Sequence, residues 1–174
     1  MGFSGNRSKA CCSTAQKIAR NEGRIMLKGI SPLISPDILR ALAAMGHGDY
    51  IALCDANCPA ESFGRTGGAL VLRADGISAT ELLRAILDIM PVDQSYPYPF
   101  LLGNKTKADA HIPTPIWDEF KCIASAYDSR GEAAFEQKER DDFCSFISHG
   151  YAVIQTGERA LYGNIAIRKG VVKP

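Results

Sequence analysis

A chain of 174 residues, 46% of them apolar, suits one compact domain that buries its own core without disulfide or metal staples. Its 20 basic and 19 acidic residues leave a net charge of +1, which excludes the basic footprint that nucleic acid or an anionic membrane surface requires. No apolar run approaches the ~20 residues that a membrane span needs.

In chain order, residues 1–25 set Arg7, Lys9, Lys17, Arg20 and Arg24 against a single acid, Glu22, and show no apolar periodicity. They read as a flexible basic leader, with the globular domain at 26–174 and Met26 as an alternative start. Ser35-Pro36-Asp37 has the form of a helix start: a capping hydroxyl, proline at the first helical position, then an acid. Ile38, Leu39, Leu42 and Met45 follow at helical spacing, and Gly46 supplies the stop. Tyr50–Cys54 is a short apolar run expected as a buried strand, ended by Asp55 to Pro59. Residues 69–72 predict a second strand, closed by Arg73-Ala74-Asp75-Gly76. A capping box from Ser78 to Glu81 then opens a helix whose inward face is Leu82, Leu83, Ile86 and Leu87.

The Tyr- and Pro-rich stretch 91–99 reads as a structured loop, because its aromatics would pack. Thr114-Pro115 opens a further helix carrying Ile116, Trp117, Phe120, Ile123 and Tyr127 on one face, and a shorter helix covers part of 141–148. Strands at 151–156 and 165–168 flank the loop 157–164 and are expected to add a hairpin-like or mixed element. The predicted fold class is therefore α/β, a single layered domain with a mixed sheet flanked by helices.

The cysteines are Cys11, Cys12, Cys54, Cys58, Cys122 and Cys144. No secretory signal precedes them and the domain needs no staples, so free thiols in a cytoplasmic compartment are expected. Cys54 and Cys58 lack a second pair at metal-ligand spacing, His111 and His149 lack ligand-like neighbours, and no phosphate loop or dinucleotide fingerprint is present.

Three places put proton-handling groups at strand ends, where loops on a rigid scaffold carry function. His47 lies between Gly46 and Gly48, and histidine is the residue type suited to giving and taking protons at working pH. From spacing alone it is either a proton-transfer group or a cap on the negative end of the preceding helix. Asp55 follows the Tyr50–Cys54 strand, where a carboxylate can orient an imidazole, bind sugar hydroxyls, or close a turn onto its own backbone. Tyr162-Gly163-Asn164 offers a phenol, main-chain approach and an amide, although a simple hairpin loop would contain similar residues.

In that order, these places resemble the D-ribose pyranase / L-fucose mutarotase family. The likeness runs from Met26 to about Val172, through Leu27-Lys28-Gly29-Ile30-Ser31-Pro32, Met45-Gly46-His47-Gly48-Asp49, Asp55-Ala56-Asn57-Cys58-Pro59-Ala60 and Arg73-Ala74-Asp75-Gly76. It continues through Thr156-Gly157-Glu158, Leu161-Tyr162-Gly163-Asn164 and Arg168-Lys169-Gly170-Val171. The resemblance implies a closed homo-oligomeric ring, with a decamer expected, acting on a free monosaccharide without metal or cofactor. It implies His47 as proton donor and Asp55, Arg140, Tyr162, Gly163 and Asn164 as ligand-binding positions. Asp141, Asp142 and Cys144 depart from the family pattern around Arg140.

The Asn-x-Pro-Ala after Asp55 and the arginine at 140 look like the L-fucose branch, with D-ribose pyranase as the runner-up and a non-catalytic sugar-binding protein as the alternative of another class. Mutarotation needs one proton delivered to the ring oxygen and one taken from the anomeric hydroxyl. His47 is assigned the first, Asp55 the orientation of His47 or of a sugar hydroxyl, and Tyr162 is a candidate second proton carrier.

Overall fold

The computed structural model describes residues 27–173. The leader at 1–25, Met26, Cys11 and Cys12 lie outside the described residues.

The capping signals act as expected. The Ser35 hydroxyl accepts from the Ile38 amide at 3.3 Å and starts α1 (Pro36–Ala44). The box at Ser78 closes in both directions, with Glu81 N to Ser78 Oγ at 3.3 Å and Ser78 N to Glu81 Oε2 at 3.2 Å, and starts α3 (Ala79–Leu87). Each such cap stabilises its helix by ~1 kcal/mol.

The strands are β1 (Tyr50–Cys54), β2 (Leu70–Ala74), β3 (Phe100–Gly103), β4 (Phe135–Lys138), β5 (Ala152–Thr156) and β6 (Ile165–Arg168), in the order β2-β5-β1-β6-β3-β4. The β1–β5, β2–β5 and β3–β4 pairs are parallel, whereas β6 runs antiparallel to both β1 and β3. The last two strands are thus a mixed element and not a hairpin, because β1 lies between them. Among the described residues no helix is long and apolar enough to cross a membrane.

Side chains alternate across the central strands and divide the core in two. Ile51, Leu53, Ile154 and Ile165 face one side, where Leu42 of α1, Leu82 and Ile86 of α3 and Phe120 of α4 (Pro115–Ala124) cover them. Ala52, Cys54, Val153 and Ala166 face the other, under Ala60 of α2 (Ala60–Gly67) and Phe143 and Ile147 of α5 (Arg140–Ser148). Alanines on this second face let its helices sit close. At Gly103 even a Cβ would meet the Phe143 ring at 2.9 Å, so the glycine fixes how near α5 comes to β3.

One α-helix, two strands and the short 3-10 turn Gly131–Ala134 were not expected. The α2 segment contains Gly64 and Gly67, poor helix formers, yet a Cβ at Gly64 would come within 2.4 Å of Val71 Cγ2, so contact with β2 demands the glycine. The strands β3 and β4 are four residues each, and Phe-Glu-Gln-Lys in β4 carries the polar sequence of an exposed edge.

Candidate active site

A cleft of about 310 Å³ opens at the carboxyl ends of β1 and β3, beside the amino end of β6 and the start of α5. Crevices outside the carboxyl ends of parallel strands are the usual ligand position in open α/β sheets. Asp55, Tyr162, Asn164 and Arg140 all line it.

The buried Asp55 is held from two directions. Asn164 Nδ2 donates to its Oδ2 at 2.8 Å, while the Asp55 amide donates to Asn164 Oδ1 at 3.0 Å. The Asn57 amide donates to Oδ1 at 2.9 Å, so Asp55 also closes the turn onto its own backbone. The turn and the Asn164 pair together fix a carboxylate at the cleft wall.

Tyr162 is the only non-glycine residue with positive φ among the described residues, at φ 61°. A conformation of this kind is strained by ~1–3 kcal/mol and persists only where its surroundings impose it. Here Trp117 Nε1 donates to the Tyr162 carbonyl at 2.9 Å, and the Tyr162 hydroxyl donates to Asp109 Oδ2 at 2.5 Å. The bond from Tyr162 is the leading reason that the Asp109 carboxyl sits below its ordinary range, followed by the bond from Thr106. Trp117, expected on the apolar face of its helix, is therefore also a clamp. Gly163 does not line the cleft. It is buried against Ala160 and Glu158, where a Cβ would meet atoms at 2.9 Å, so its smallness serves loop packing.

Thiols form part of the cleft wall: Cys58 and Cys144 line it, with buried Cys54 behind. A hydrogen bond with Cys58, reinforced by burial, pushes the Cys54 thiol up, and burial pushes Cys144 up. Such groups stay protonated and are poor nucleophiles.

His47 is elsewhere. It precedes β1, whereas Asp55 follows it, and a five-residue strand spans ~13 Å. The expectation that Asp55 orients His47 therefore fails within one chain, because an extended segment carries its two ends apart. The helix-cap reading fails too: Lys169 Nζ donates to the Leu42 and Met45 carbonyls at 2.7 and 2.6 Å and fills that place. Instead the half-exposed His47 pairs through Nε2 with Asp93 Oδ2 at 3.1 Å.

Asp93 is almost wholly buried and also accepts from Arg168 Nε at 2.8 Å and from the Ser95 hydroxyl at 2.6 Å. Burial pushes its carboxyl up, but the Ser95 hydroxyl and amide, Arg168 and His47 together outweigh burial and bring it down to about 2. The Arg168 guanidinium lies 4.2 Å from the Tyr96 ring centroid and 5.2 Å from that of Tyr50. Of the aromatics in the 91–99 loop, Tyr96 packs over this second polar cluster as expected, whereas Tyr98 stays exposed. Sequence reasoning passed over Asp93 and Asp109. The first carries a local signal, an Asp-x-Ser turn in which the Ser95 amide donates to Asp93 Oδ1 at 2.9 Å.

A polar cleft at the edge of a mixed α/β sheet, walled by the carboxylates of Asp55 and Asp109, the Asn164 amide, the Tyr162 phenol and the Arg140 guanidinium, suits a small polar ligand. The family described as RbsD / FucU transport protein family matches residues 28–172. The fucose mutarotase of Bos taurus is 39% identical over 155 residues, covering 86% of this chain and 97% of that protein. The crystal structure of FucU from Bifidobacterium longum superposes with a TM-score of 0.80 at 40% identity, covering 84% of this chain and 100% of that one. The fucose mutarotase of Streptococcus pneumoniae in complex with L-fucose gives 0.75 at 37% identity, with the same coverages of 84% and 100%. The chain belongs to the RbsD / FucU family.

Proposed function

We propose that this protein is a mutarotase that interconverts the anomers of L-fucose by acid–base opening and reclosure of the pyranose ring. The observation that carries the reading is the cleft itself. Asp55 and Asn164 lock each other, and Tyr162 and Arg140 stand around a space that suits a monosaccharide, in a chain with 37–40% identity to fucose mutarotase and FucU structures. Asp55, Asn164 and Arg140 bind sugar hydroxyls, with Arg140 offering several fixed donors. Tyr162 handles the anomeric hydroxyl proton and His47 supplies the ring-oxygen proton. Acid–base catalysis contributes ~10²–10⁴-fold, enough for a reaction that already proceeds in water.

The separation of His47 from the cleft supports a specific assembly. A half-exposed imidazole at one end of the sheet serves the cleft at the other end of a neighbouring subunit, within a closed homo-oligomer for which we propose ten subunits. We also propose a cytoplasmic location, supported by the unpaired thiols of Cys54, Cys58 and Cys144.

Saturation-transfer NMR on L-fucose, with D-ribose in parallel, tests the reading. The protein should accelerate α/β exchange of L-fucose more than that of D-ribose. Binding of L-fucose without any change in its exchange rate would make the protein a sugar binder and overturn the proposal.

A further inference from the structure

The phenol of Tyr162 has a single proton, and the structure commits it. It points to Asp109 Oδ2 at 2.5 Å, while the Thr106 amide donates to the phenol oxygen at 3.3 Å. A phenol whose proton is given away and whose oxygen keeps acceptor capacity presents a ligand with an acceptor, not a donor. Asp109 is fixed in turn: its Oδ2 accepts from Thr106 Oγ1 at 3.0 Å, and its amide donates to Thr106 Oγ1 at 3.3 Å. The indole of Trp117 holds the Tyr162 backbone in its strained conformation from the other side. Both Tyr162 and Asp109 line the cleft. Two partners from distant parts of the chain and one strained residue thus converge on the placement of one hydroxyl.

We infer that Asp109 acts through Tyr162 as the terminal proton acceptor of ring opening, forming a two-step relay from the anomeric hydroxyl to Tyr162 Oη to Asp109 Oδ2. The inference rests on the mutarotase reading above. In the opening step the O1–H bond breaks and its proton moves to Tyr162 Oη, as the proton of Tyr162 moves to Asp109 Oδ2. The electron pair left on O1 forms the C1=O1 bond. The C1–O5 bond breaks, and its pair takes the proton delivered to the ring oxygen by the acid. Reclosure on the other face of the aldehyde runs the same transfers backward, so no electrons are gained or lost. Asp109 begins the step ionised, the form that accepts a proton. The groups around it are Tyr162 and Thr106, which hydrogen-bond to it, and His111 and Arg140, whose charges favour its ionised form.

The test uses the full chain and L-fucose exchange measured by NMR, with sugar affinity measured by titration. Asp109→Asn keeps an acceptor for both Tyr162 and Thr106 but cannot take a proton, so turnover should fall about 10²-fold, with affinity changed by less than about threefold. Asp109→Glu should recover at least about tenfold of that loss, a rescue that a purely structural turn would not show. Tyr162→Phe combined with Asp109→Asn should be no slower than Tyr162→Phe alone, because the two groups act as one unit. In mixed H₂O/D₂O the wild-type rate should curve with deuterium fraction, as the three protons moving in the step require, a readout that needs no substitution. A linear dependence in the wild type, wild-type turnover in Asp109→Asn, or additive losses in the double variant would each overturn the relay. Absence of any exchange activity in the wild type would instead remove the mutarotase reading, so the two failures are distinguishable.

Discussion

Replacing Asp93 by asparagine should remove a stability term that depends on pH. The carboxyl lies at about 2 in the folded protein against an ordinary 3.8, a difference of nearly two pH units. At ~1.4 kcal/mol per unit, this corresponds to about 2 kcal/mol of folding free energy at neutral pH. Between those two values the unfolded chain binds more protons than the folded one, so stability rises with pH through the interval. The contribution is complete above ~4 and gone by ~2. Asparagine keeps the shape, but its single carbonyl oxygen can accept from the Ser95 side or the Arg168 side and not both, and it carries no charge to pair with Arg168. Urea unfolding of wild type and Asp93→Asn, followed by circular dichroism from pH 7 to pH 2.5, should show a gap of about 2 kcal/mol that narrows steadily below ~4. A gap of constant size across that range would refute the reasoning, since it would mean that the carboxylate charge contributes nothing beyond its hydrogen-bonding shape.

Three other outcomes follow from the same contacts. Lys169→Met should destabilise the fold by ~1–3 kcal/mol in the same assay, because the carbonyls of Leu42 and Met45 lose a charged donor at 2.7 and 2.6 Å. Arg140→His should narrow the preference for L-fucose over D-ribose in anomer exchange, and unaltered relative rates would remove Arg140 as the discriminator. His47→Gln should slow exchange by ~10²-fold or more. When it is refolded in equal amounts with Asp55→Asn, activity should return to about a quarter of wild type, the share of sites that draw both intact residues from different subunits. No recovery in mixed oligomers would count against the shared site.

The parts of this fold visible in the sequence are those governed by local chemistry. Caps at Ser35 and Ser78, the proline that opens α4, and the apolar run of β1 depend on neighbours a few residues away, and each forms where expected. What stayed hidden depends on distant partners. The α2 segment looks like a loop until β2 is set beside Gly64, and β4 has no pattern of its own without β3. The cleft residues Asp55, Arg140, Tyr162 and Asn164 were legible through their motifs and come together. Their partners were not, because the Tyr162–Asp109 pair spans 53 positions and the His47–Asp93 pair spans 46. The tight packing of Gly163 was not legible, because a glycine between two polar side chains looks the same whether it faces a ligand or fills a tight corner.

The placement of both polar clusters comes down to the direction of one strand. Because β6 runs antiparallel to β1, residues just before it lie beside the carboxyl end of β1, where Asn164 meets Asp55. Its far end lies beside the amino end of β1, where Arg168 meets Asp93 and, through it, His47. A parallel β6 would carry Tyr162 and Asn164 to the His47 end and leave Asp55 without the amide that fixes it. The reversed strand therefore builds a sugar-sized cleft at one end of the sheet and the His47–Asp93–Arg168 cluster at the other, with a rigid strand between them. No side-chain rotation closes ~13 Å of β-strand, so chemistry that needs both ends must bring a second subunit to the first.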